Sequence, residues 1–149
     1  MALVYNLAKK LMVDGTIDLL NDDIKFMLVG STYSADDAHD YVNPSAYQTE
    51  LSGTGYAGGY AGSGRKTLAS KSIVEDDTNN RAEFTAAPVT WTSIDAGTAA
   101  GVIMIRERAA TGDTMSELIA FIDSGGFPVT TNGGDLTFTP NAEGILQLT

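Results

Sequence analysis

Leu3, Val4, Leu7, Ala8 and Leu11 recur at spacings of three and four, the stripe that one face of a helix buries, with Lys9 and Lys10 on the opposite side. The spacing predicts a short N-terminal helix, and Gly15 supplies its stop. From Asp23 the period falls to two. Ile24, Phe26 and Leu28 share one side, Lys25, Met27 and Val29 the other, and Gly30 closes what reads as a mostly buried strand. Ser34 followed by Asp37 carries an N-cap and an acidic first turn, which predicts a second short helix over ADDAHDYVN (35–43), ending before Pro44.

AYQTEL (46–51) reads as extended, and a glycine-rich stretch follows at 53–67. Beyond it the alternation dominates. KTLASKSIVED places Leu68, Ser70, Ser72 and Val74 on one side; RAEFTA, PVTWTS, GVIMIRER, ELIAFID, GDLTFTP and GILQLT follow, with turn-forming DDTNN, TGD, DSGG and TNGG between strands. Short strands at such intervals predict a mainly β protein, an antiparallel β-sandwich or barrel with a short N-terminal helix and one further short helix. At 149 residues the chain fits a single domain, 1–149, with 1–15 as a helical arm or as a cap on the core.

Charge narrows the partners. With 19 acidic against 9 basic residues the net charge is -10, and the basic residues are scattered, so a nucleic-acid backbone would be repelled. No apolar run approaches the ~20 residues that cross a bilayer, and the lysines follow the first apolar residues, unlike a secretory signal, so a soluble protein with no membrane partner is expected. There are 0 cysteines, which removes disulfides and thiolate chemistry.

GTGYAGGYAGSGRKT (53–67) invites a nucleotide reading. Gly53, Gly55 and Gly58 have the G-x-G-x-x-G spacing, and Gly59 to Thr67 nearly spell a phosphate loop. The first needs a helix next, whose N-terminal amides hold the phosphates, yet the chain after Gly64 alternates with period two. Arg65 interrupts the second by separating the last glycine from Lys66 and Thr67. No cofactor is expected. The stretch reads instead as an enlarged interstrand connection, either a flexible linker or an interaction loop carrying Tyr56 and Tyr60.

His39 is the 1 histidine, and no G-x-S-x-G turn accompanies it. Asp36, Asp37, His39 and Asp40 are too close in sequence to converge on a zinc ion from one helix, and Asp22/Asp23 and Glu75/Asp76/Asp77 lack a calcium-loop pattern. Trp91 alternates with Val89 as a core residue, and Arg106, Glu107 and Arg108 read as a charged strand end. No catalytic, cofactor or metal residue is therefore assigned and no enzyme is expected. The candidate contact residues are Leu3, Leu7 and Leu11 on the N-terminal stripe and Tyr56 and Tyr60 in the loop.

Residues 16–43, the VTWTS segment at 89–93 and NAEGILQLT at 141–149, with SGTGY at 52–56 between them, resemble in that order a family of small virion proteins of tailed bacteriophages. The likeness spans nearly the whole chain. It implies a non-enzymatic structural part of a phage particle, localised to the virion and assembled in the host cytoplasm. Its leading role is a capsid cement or decoration protein bound to the major capsid protein lattice or other virion proteins as a homo-oligomer, a trimer; the alternative is a tail, baseplate or fibre component whose Gly/Tyr loop binds host glycan. AGGYAGSGR (57–65) lengthens the family's turn by several residues, so no role for the loop carries over.

Overall fold

The structure is a computed structural model and describes residues 2–43 and 49–149. The helix stop expected at Pro44 and the start of the strand expected over 46–51 lie outside the described residues. In chain order the elements are β1 (Leu3–Val4), α1 (Asn6–Val13), β2 (Ile24–Gly30), β3 (Lys66–Thr67), β4 (Ser72–Asp76), β5 (Arg81–Thr85), β6 (Val89–Trp91), β7 (Thr98–Arg106), a 3-10 turn (Gly112–Met115), β8 (Glu117–Ile122), β9 (Val129–Thr130), β10 (Leu136–Phe138) and β11 (Leu146–Leu148). The fold is mainly β and antiparallel.

Six strands form the largest sheet, in the order β1-β8-β7-β2-β3 with β9 beside β7; β10-β6 and β11-β5-β4 form two smaller sheets. No barrel closes among the described residues. The apolar alternation of β2, β7 and β8 buries side chains on both faces: Val102 through Ile105 and every residue of β8 are buried, so the large sheet is covered on both sides. Phe26 of β2 meets Phe138 of β10 edge to face at 5.1 Å, joining two sheets, and Tyr33 meets Phe121 at 4.7 Å elsewhere in the core. Each such large side chain stabilises by about 1.5–3 kcal/mol when fully buried.

The N-terminal stripe is divided between two elements. Leu3 and Val4 pair with Phe121 and Ala120 at the edge of β8, so the helix starts at Asn6 and not at Leu3. A helix this short is marginal alone. Packing holds it: α1 lies against β8, and Tyr5 and Ala8 are fully buried.

Two other expectations are corrected. No helix forms over 35–43. The Asp36 carboxylate accepts the Ala38 N–H in a tight turn, and the chain then runs along β8, with Leu118 N–H donating to Asp40 O and Val42 N–H to Ser116 O. Pairing at an open sheet edge outweighs the helical tendency of an acidic, alanine-bearing segment. The further helical turn of the described chain is the 3-10 turn at Gly112–Met115. KTLASKSIVED is likewise not one strand: Ser70 has φ 51°, and this left-handed residue divides β3 from β4. Leu68 consequently points into the core while Val74 is exposed.

Candidate functional site

Arg65, the residue that spoils the phosphate-loop spacing, is the hub of a buried ion cluster. Its Nε donates to Glu50 Oε1 at 3.0 Å and its Nη2 to Glu50 Oε2 at 2.7 Å and Asp113 Oδ2 at 3.1 Å. Nη1 donates to Glu107 Oε1 at 3.2 Å and Asp113 Oδ1 at 2.6 Å. A guanidinium has five N–H donors, and these contacts occupy all of them. Lys25 of β2 pairs with the other oxygen of Glu107 and stands 3.4 Å from Asp23. Burial opposes the charge on Arg65, but the hydrogen bonds and charges of Glu50 and Asp113 outweigh it and raise the pKa above its usual value. For Lys25, burial likewise pulls the pKa down while Glu107 and Asp23 lift it further, leaving it raised.

This cluster ties the glycine-rich stretch to the body. Glu50 also accepts the Gly59 N–H at 2.9 Å and the Tyr56 hydroxyl at 3.2 Å. Tyr56 Oη in turn accepts the Leu28 N–H of β2 at 2.9 Å. The Tyr56 ring packs on Gly64, whose carbonyl accepts the Trp91 indole N–H at 2.6 Å. A Cβ on Gly64 would come within 2.5 Å of the Tyr56 ring, which explains a glycine there. Gly55 has φ 75° and would meet Ser93 O at 2.4 Å, so close backbone approach and a left-handed turn both require it.

The loop is therefore braced rather than slack, with Tyr56, Gly64 and Arg65 buried and Tyr60 exposed. Tyr60 is 42% exposed and its hydroxyl donates to Ala109 O at 3.0 Å, laying the ring over the segment that leads into the 3-10 turn. Tyr56, expected on the outer surface beside it, is instead 1% exposed and belongs to the core. Burial, with the charge of Glu50, pushes its phenol far above the usual range. Leu3 and Leu11 are partly buried against the core and Leu7 is half-buried on α1.

A second ion cluster braces the far side of the same strand end. Arg106 donates to Glu117 at 2.9 and 2.7 Å, to Asp22 at 3.0 Å and to the Thr16 carbonyl, and Arg108 adds a 2.8 Å contact to Glu117. Burial would raise the Glu117 pKa, but Arg106 and Arg108 hold it below the usual carboxylate value. Arg106, Glu107 and Arg108 do end a strand, yet Arg106 and Glu107 are buried and each serves a different cluster. Their signal in the sequence is the Arg-Glu-Arg run continuing the apolar alternation of GVIMI; the partners Glu50, Asp113 and Lys25 carry no local signal.

The chemistry of a phosphate cradle is not what these residues supply. Arg65 has no donor left for a ligand, and Lys66 and Thr67 form a strand opposite Phe26 and Lys25 where a phosphate loop would open a helix. Among the described residues no acidic or histidine group is arranged to hold a metal ion, and no helix is long and apolar enough to cross a membrane. Comparison with protein-family models, curated proteins and solved structures finds no match to this chain.

Proposed function

We propose that this chain is a non-enzymatic structural protein of a tailed-bacteriophage particle, a cement or decoration protein that binds the major capsid protein lattice as a homotrimer. One observation carries the reading beyond the sequence resemblance: the Arg65–Glu50 brace ties the loop to the body and leaves Tyr60, pinned through its hydroxyl to Ala109 O, 42% exposed on the surface. A contact element ordered in advance loses little entropy on docking, and tyrosine provides large area at low rotamer cost. Many weak contacts of this kind, repeated over a symmetric lattice, combine by avidity.

The test is add-back. Particles assembled without this chain are mixed with the purified protein and sedimented. Saturable co-sedimentation at a fixed ratio to capsid subunits is expected, and its loss with Tyr60→Ala, in a protein that still folds, would assign the loop. Protein that stays in the supernatant at every concentration would overturn the cement role, and binding confined to purified tails would move the chain to the tail or fibre.

A further inference from the structure

We infer that the open edge of β4 is a docking site for an extended, basic and apolar segment of another protein, added antiparallel as a fourth strand to the β11-β5-β4 sheet. Among the described residues β4 pairs with β5 and has no neighbour on its other side. A free edge of five residues carries unpaired N–H and C=O groups that template another strand. Proteins commonly blunt such an edge with lysine, proline or a bulge. Here the middle of the strand is Ile73 and Val74, 49% and 48% exposed on opposite faces. Ile73 lies in register with Phe84 of β5, which faces Leu146 of β11, so a strand laid outside Ile73 extends an apolar row already in place.

Charge selects the occupant. Glu75 and Asp77 are exposed at the turn end, and among the described residues neither has a cation within ion-pair distance, whereas Asp76 is held by Arg81 and Asn79. A second copy fits poorly. Antiparallel pairing centred on Val74 would set Ile73 against Glu75 and Ser72 against Asp76. The cation at the other end, Lys71, already donates to the Asp22 carbonyl at 2.5 Å. The matching strand instead has β-branched apolar residues opposite Ile73 and Val74 and Lys or Arg opposite Glu75 and Asp77. This edge is distinct from the Tyr60 loop, and its occupancy does not depend on the particle assignment.

The test uses the full chain, labelled with ¹⁵N, and a synthetic peptide carrying Lys-Thr-Lys-Val-Ile-Thr, with a control in which both lysines are glutamates. Saturable amide shifts confined to residues 71–77 and their β5 partners, with slowed amide exchange along β4, are expected. The glutamate peptide should bind about tenfold more weakly or worse. Ile73→Lys, a surface change that leaves the fold intact by its unchanged melting curve, should abolish the shifts. No shift up to millimolar peptide, equal binding of both peptides, or shifts mapping elsewhere would overturn the inference. So would concentration-dependent dimerisation of the protein alone that Ile73→Lys removes, since the edge would then belong to a second copy.

Discussion

Arg65 Nη2 lies 2.7 Å from Glu50 Oε2, and the two side chains are 0% and 4% exposed. A pair this deep is valuable mainly because breaking it is costly: removing one partner leaves the other charge buried and uncompensated, a loss of about 3–5 kcal/mol. Arg65→Ala, which strands Glu50, Glu107 and Asp113 together, is expected to lower the melting temperature by roughly 10 °C. Denaturation followed by circular dichroism checks it. A shift of only a degree or so would mean that the cluster is solvated and braces nothing.

Gly64→Ala tests the packing above that pair. The added Cβ would sit 2.5 Å from the Tyr56 ring, which is fixed at its other end by Leu28 N–H and Glu50. Overpacking of this kind costs about 1–3 kcal/mol. Urea unfolding should report that loss, and Tyr56→Phe in the same background should not restore it, because the clash is with the ring and not the hydroxyl.

The single tryptophan offers its own probe. Trp91 is fully buried and donates to Gly64 O at 2.6 Å, so Trp91→Phe keeps most of the apolar area but leaves a buried carbonyl without its donor. A loss of about 1–3 kcal/mol is expected by chemical denaturation. Wild-type emission should be blue-shifted when folded and move to the red in one transition, coincident with the far-ultraviolet signal.

The pH dependence has a definite sign on each side. Glu117 has a folded pKa below its ordinary 4.5, so its stabilisation is fully present above that value and is lost as pH falls through the folded pKa. Lys25 is raised above 10.5, so its contribution is present below that value and is lost as pH rises through the folded pKa. The melting temperature should therefore be level between these limits and fall outside them. Glu117→Gln should lower the unfolding free energy between these limits by about 2 kcal/mol and flatten the acid limb. An acid limb unchanged by that substitution would rule Glu117 out as its source.

Period-two alternation made the strands legible where burial is one-sided or complete, as in β2, β7 and β8. It misled where a single backbone angle intervened: Ser70 looks like any polar position in an alternating run, yet its left-handed φ splits the strand. Residues 35–43 misread for a different reason, since an edge of β8 lying some eighty residues further along the chain claims their backbone. The site was half visible. The glycines and tyrosines marked the loop, and the inserted arginine removed the nucleotide reading, but which tyrosine is outside depends on Glu50, Leu28 and Trp91 meeting in space. Such convergence of distant segments leaves no mark in local spacing.

The most direct measurement is a reconstruction of particles carrying this protein at a resolution that resolves side chains. The account predicts ordered density on the capsid lattice, three copies to a site, with the 53–67 loop held as Arg65 and Glu50 hold it and Tyr60 seated against a neighbouring subunit. Particles without that density, or copies bound with Tyr60 facing solvent, would contradict it.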